Sequence, residues 1–135
     1  MYLPSLCLGS AQFGQNYGIT NSNGIVPCEE IEKILKAAYV EKVAFIDTAQ
    51  DYGDAESIIG NAFELENKFK IINKFSTTSS KSWNSETVQL WEKRFFESLE
   101  SMQVSKFDCF LIHNIKDIQR VDSKILINWL LSLKE

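Results

Sequence analysis

The sequence predicts an α/β protein built on a parallel sheet, and three observations carry the prediction. Four short apolar runs recur along the chain, each followed by a segment whose apolar residues are spaced three or four apart, so strand and helix alternate throughout. The runs are nearly all apolar rather than alternating, the composition of strands buried on both faces beneath helical crossovers. Three of them stop on or beside an ionisable residue, Asp47, Lys74 and His113. In a parallel β/α sheet the carboxyl ends of the strands share one rim, where such folds place their chemistry.

Taken in order, residues 6–9 are the first strand, left through the small-residue turn Gly9-Ser10-Ala11-Gln12-Phe13-Gly14. Its Gly-x-x-x-x-Gly spacing invites comparison with a phosphate loop. Gln15-Asn16 stand where that loop needs Lys and Ser/Thr, so the comparison fails. A loop rich in Asn, Gly and Ser then leads to a helix. Glu29 and Glu30 favour the positive end of its dipole, and Ile31, Ile34, Leu35 and Ala38 form its buried stripe. Residues 43–46 are the second strand, and Asp54 is the expected N-cap of a helix with Ile58, Ile59, Ala62 and Phe63 on its apolar side. Residues 69–73 are the third strand. After the polar stretch 76–85, Val88, Trp91, Phe95, Leu99 and Met102 mark a longer helix. Residues 107–112 are the fourth strand, and Ile125, Trp129, Leu130 and Leu133 mark the last helix. No linker-like break interrupts the pattern, so residues 1–135 are expected to form one domain.

Composition narrows the function classes. The 135 residues are 44% apolar and 24% charged, with a net charge of −4 and 14 scattered basic residues, which argues against nucleic acid as a partner. The three cysteines lack CxxC spacing and have one histidine for company, so neither a disulfide framework nor a structural zinc site is indicated. Cys7 and Cys109 read as small core residues of strands. The N-terminus lacks the features of a signal peptide, and the longest apolar runs fall far short of the roughly 20 residues of a membrane span. A cytoplasmic protein without a membrane partner is predicted.

The candidate chemistry lies in Asp47, Tyr52, Lys74 and His113. Singly, each has a bland explanation: a turn-forming acid, a solvated lysine, a core histidine. Their joint placement on one rim is harder to explain that way. A phenol, with a pKa of about 10, is a weak acid at neutral pH, but a neighbouring ammonium stabilises the phenolate and makes the phenol a better proton donor. Lys74 is the candidate cation, Asp47 its counter-ion, and His113 a hydrogen-bond donor that orients a carbonyl oxygen. With a hydride from a nicotinamide, the set suits carbonyl reduction.

The stretches Leu8 to Gly14, Phe45-Ile46-Asp47-Thr48-Ala49 with Asp51-Tyr52-Gly53, Ile71-Ile72-Asn73-Lys74-Phe75 and Phe110-Leu111-Ile112-His113-Asn114 together resemble the aldo-keto reductase family, in the family's order. The resemblance implies a TIM-type (β/α)8 barrel that binds NADP(H) and reduces small aldehydes or ketones. It implies Tyr52 as general acid, Lys74 and Asp47 as its tuning pair, and His113 as the group that positions substrate. Ser10, Ala11 and Asp47 stand where the family approaches its cofactor. A full barrel takes about 250 residues, so this chain is expected to be the N-terminal half, about four of eight units, a truncated reductase lacking most of the cofactor clamp. Four strands leave two open edges, and inward side chains such as Phe45 and Ile71 or their neighbours lose the opposite wall, so self-association is expected. The alternative is a non-catalytic half-barrel assembly module or decayed gene product. An isomerase-type barrel would explain strand-end acids but has no use for Tyr52 beside Lys74. Phe13, Tyr17 and Trp83 are the candidate aromatic walls of a substrate pocket.

Overall fold

In the computed structural model, which describes residues 6–65, 68–77 and 79–134, four strands pair in parallel in the order β1-β2-β3-β4. They are β1 (Cys7–Gly9), β2 (Phe45–Asp47), β3 (Lys70–Phe75) and β4 (Cys109–Ile112). Order in space follows order in sequence with no reversal, so crossovers of one hand place every helix on the same face. That is the winding of a (β/α)8 barrel, and the chain holds four consecutive units of it. The helices are a single turn α1 (Ala11–Gly14), then α2 (Cys28–Val40), α3 (Ala55–Ala62), α4 (Ser85–Met102) and α5 (Ser123–Ser132). The turn α1 and a 3-10 turn at Ile115–Asp117 are too short for periodicity to reveal.

Local chemistry explains most of the helix ends. Glu29 and Glu30 occupy the first turn of α2, and Asn84 starts α4 with a capping box, its side chain accepting from Thr87 N at 3.0 Å while Asn84 N donates to Thr87 Oγ1 at 3.3 Å. The α4 start thus lies inside the stretch that reads as merely polar. Asp54 does hold the N-cap position of α3, but its side chain makes no capping bond; Ser57 Oγ instead donates to the Asp54 carbonyl at 3.0 Å.

Strand facing differs from the expectation of strands buried on both sides. In β3, Ile71, Asn73 and Phe75 are buried beneath the helices, while Lys70 is exposed and Ile72 and Lys74 are half-buried on the other face. Ile71 is therefore not an inward residue. It packs with Ile46, Leu35, Ile59 and Met102 in the first of two clusters under the helices. The inner face carries Phe45, Asp47, Ile72, Lys74 and Leu111, the last 41% exposed. Cys7 is exposed on this open face and Cys109 half-buried, so neither is a core residue. The second cluster is aromatic: Phe75, Trp91 and Trp129 lie with ring centroids 4.9 to 5.6 Å apart. Trp83 caps it at 5.0 Å from Trp91. Trp83 and Phe13 are both core residues, 4% exposed, and Tyr17 is 58% exposed. No described helix is long and apolar enough to cross a membrane.

Candidate functional site

The side-chain alternation of β3 sets the site. With Ile71, Asn73 and Phe75 committed to the helix layer, Lys74 must stand on the inner face, where β2 in register brings Asp47 beside it. The loop after β2 keeps pairing with β3, Thr48 N donating to Ile72 O at 2.9 Å and Gln50 N to Lys74 O at 3.1 Å. This carries the chain over Lys74 to Tyr52. Lys74 Nζ bonds the Asp47 carboxylate, donates to Thr48 O at 3.3 Å and to the Tyr52 hydroxyl at 3.4 Å, and lies 5.1 Å from the centroid of the Tyr52 ring.

Two glycines fasten Tyr52 to the first loop. Gly53 has φ +57°, a left-handed conformation, and a Cβ there would stand 3.0 Å from Gly14 C and nearer still to Gly14 O. A Cβ on Gly14 would in turn meet the backbone of Tyr52, Asp54 and Ala55. The loops after β1 and β2 thus touch backbone to backbone. Ser10, fully buried, ties the same loops by donating through Oγ and N to Asp47 O, both at 3.0 Å. Its hydroxyl supports the site from behind, while Ala11 begins α1.

His113 is the first residue past β4, anchored by its N–H to Phe75 O at 2.9 Å. Its ring meets the Tyr52 ring edge to face, centroids 5.8 Å apart at 89°. The structure therefore brings Asp47, Tyr52, Lys74 and His113 together on one rim. Burial pulls the Lys74 ammonium towards the neutral form, but the hydrogen bond and charge of Asp47, helped by Tyr52, outweigh it and hold its pKa above the ordinary lysine value. Lys74 is thus held as a cation beside Tyr52.

Around this set lie residues to which the sequence reading gave no role. Ser76 Oγ donates to Asp51 and lies 3.3 Å from His113 Nδ1. Arg94 of α4 donates to Ser76 O at 2.8 Å and stands 3.8 Å from Asp51 Oδ1. Below them Glu56 accepts from Asn73 Nδ2 at 2.6 Å and from Ser98 Oγ at 3.2 Å, and burial above all pushes its carboxyl pKa up. Asp51 sits in the same stretch as Tyr52, and Ser76 two residues beyond Lys74, but pairing across three loops leaves no spacing signal. A hollow lined by Asp51, Ser76, Thr77, His113, Asn114 and Asp117 opens beside the imidazole. Among the described residues no group of histidine, cysteine and carboxylates could hold a metal ion.

Nothing lies within 4 Å of where a Gly9 Cβ would be, which leaves room beside Asp47 at the end of β1. Lys74 and Arg94 are already committed to Asp47, Asp51 and Ser76 O. The space beside Gly9 and Asp47 is thus compatible with a nicotinamide cofactor.

The aldo/keto reductase family model matches residues 5–127. Among solved structures, a Pseudomonas aeruginosa protein assigned to the aldo-keto reductases is 21% identical with TM-score 0.72, over 96% of this chain and 50% of that one. A Klebsiella pneumoniae aldo-keto reductase in complex with NADPH is 21% identical with TM-score 0.67, over 96% and 42%. A Giardia lamblia aldose reductase is 22% identical with TM-score 0.54, over 83% and 33%. The chain spans about half the length, or less, of these structures. No curated protein matches it significantly.

Proposed function

The chain belongs to the aldo/keto reductase family, and from that premise we propose that it carries the acid–base machinery of an NADP(H)-dependent carbonyl reductase acting on a small aldehyde or ketone. The observation that carries the reading is Lys74 Nζ bonded to Asp47 and 3.4 Å from the Tyr52 hydroxyl. Bound NADPH supplies the hydride. Tyr52 passes its hydroxyl proton to the substrate oxygen as that oxygen gains charge, and the Lys74 ammonium stabilises the phenolate left behind. Asp47 keeps Lys74 charged and aimed. His113, across the Tyr52 ring, holds the carbonyl oxygen in line. Gly9 and Asp47 form the cofactor's near wall, with Ser10 fixing the Asp47 backbone and Ala11 opening the adjoining turn. Residues 1–135 serve as the N-terminal half of the barrel.

The test is NADPH binding, read by quenching of tryptophan fluorescence, with carbonyl reduction measured in parallel. Tyr52→Phe is expected to leave quenching intact and to lower reduction by about 10²-fold or more. Reduction at the unsubstituted rate would refute the assignment of Tyr52.

A second reading is favoured by the open inner face, where Leu111 is 41% exposed. Such a face needs cover, and two copies of the chain can close it as an assembly module. A dimeric mass in solution supports this reading; a monomer at micromolar concentration sinks it.

A further inference from the structure

Ser76 and Asp51 face Nδ1 of His113, and Arg94 braces them both. Ser76 Oγ has two partners, the Asp51 carboxylate and His113 Nδ1, the latter at 3.3 Å. A hydroxyl has one proton to give, and an aspartate carboxylate beside a guanidinium can only accept. Arg94 supplies that guanidinium, 3.8 Å from Asp51 Oδ1 and bonded to Ser76 O at 2.8 Å. The serine proton therefore goes to Asp51, and the contact with His113 is filled only if Nδ1 carries a hydrogen and donates it to Ser76 Oγ. Asp51 Oδ2 lies 4.0 Å from the same nitrogen and adds acceptor charge on the same side.

We propose that Ser76, Asp51 and Arg94 are positioning residues that hold His113 in the Nδ1–H form. This rests on the reading of His113 as the group that meets the substrate oxygen, and sharpens it. With Nδ1–H fixed, Nε2 of the neutral ring has a lone pair and no proton, so it accepts from an alcohol and cannot donate to a carbonyl. Donation to a carbonyl requires the imidazolium, in which Nδ1–H still faces Ser76 and Asp51 while Nε2–H faces the substrate.

His113 is the sole histidine of the sequence, so its ring nitrogens give unambiguous signals in a long-range proton–nitrogen correlation spectrum of the nitrogen-15-labelled chain. At a pH where the ring is neutral, Nδ1 is expected to read as protonated and Nε2 as bare. Ser76→Ala should move the ring to mainly Nε2–H, the form that a free histidine side chain prefers, and Ser76→Thr, which keeps the hydroxyl, should restore mainly Nδ1–H. A parent ring that is mainly Nε2–H overturns the proposal by itself, whether or not the variants fold. An unchanged tautomer in folded Ser76→Ala overturns it too. The spectrum needs neither cofactor nor substrate, so loss of carbonyl reduction with an Nδ1–H ring counts against the reductase reading alone, and an Nε2–H ring in an active enzyme counts against the tautomer alone.

Discussion

Replacing Gly14 with alanine sets two effects of opposite sign against each other. Gly14 ends the turn α1, and in a helix alanine is favoured over glycine by about 1 kcal/mol. Propensity alone therefore predicts stabilisation. The structure predicts the reverse: a Cβ there would stand 2.9 Å from Asp54 N, nearer still to Ala55 N and Tyr52 O, where ordinary contact begins at 3.4 Å. Even the mildest of these overlaps is short by about half an ångström, and all three partners are backbone atoms of residues 52–55, where the loop that carries Tyr52 enters α3. Overpacking costs about 1–3 kcal/mol when neighbouring side chains can yield, and here the yielding must come from a hydrogen-bonded loop. The net loss is expected to be about 2 kcal/mol or more, which for a chain of this size lowers the unfolding midpoint by roughly 6 °C or more. Gly9→Ala supplies the contrast, because nothing lies within 4 Å of its Cβ position, and the same change there should be neutral or stabilising by about 0.5–1 kcal/mol. Thermal unfolding followed by circular dichroism reads both variants. A Gly14→Ala midpoint equal to or above the parent's would refute the backbone contact between the two loops, and with it the account of how Tyr52 is held over Lys74.

Three further outcomes concern Glu56, Asp122 and Trp91. Glu56 has its carboxyl pKa raised by burial, so the folded state binds a proton more readily than the unfolded one. Its stability contribution therefore improves as pH falls towards the ordinary glutamate value of about 4.3; urea titrations at pH 5 and 8 should show the parent gaining on Glu56→Gln upon acidification. Asp122 is drawn down to about 2, first by its hydrogen bond from Arg120, with Trp83 N and the Arg120 charge assisting against burial. Its stabilisation is complete above the unfolded value of about 3.9 and is lost as pH falls towards 2, so the advantage of the parent over Asp122→Asn should shrink across that window. Trp91 is fully buried among Phe75, Trp83 and Trp129, and Trp91→Ala should cost about 3–5 kcal/mol in chemical unfolding; a loss under 1 kcal/mol would mean that the aromatic cluster is not a packed core.

Much was legible from residue order alone. Apolar runs alternating with helical stripes specify parallel β/α units, although only one face of β3 lies beneath the helices, and strand-end Asp47, Lys74 and His113 share a rim because parallel strands all end on one side. Tyr52 follows from its short distance in sequence to Asp47. The periodicity of a strand is likewise set by its backbone, but its phase is not. In a run such as Lys70-Ile71-Ile72-Asn73-Lys74-Phe75, the sequence allows either face to be the inner one, and only the packing of Ile71 against α2 and α3 and of Phe75 against Trp91 turns Lys74 towards Asp47. The same holds for the support of His113. Asp51, Ser76 and Arg94 come from three segments, and they meet only because the β2 and β3 loops pair and α4 lies across them. A close backbone approach such as Gly14 on Gly53 leaves only two small residues in the sequence. The sequence by itself determined the kinds of element and the chemistry at their ends, which depend on neighbours along the chain. The tertiary structure decided facing, the groups that surround His113 and loop contact, which depend on neighbours in space.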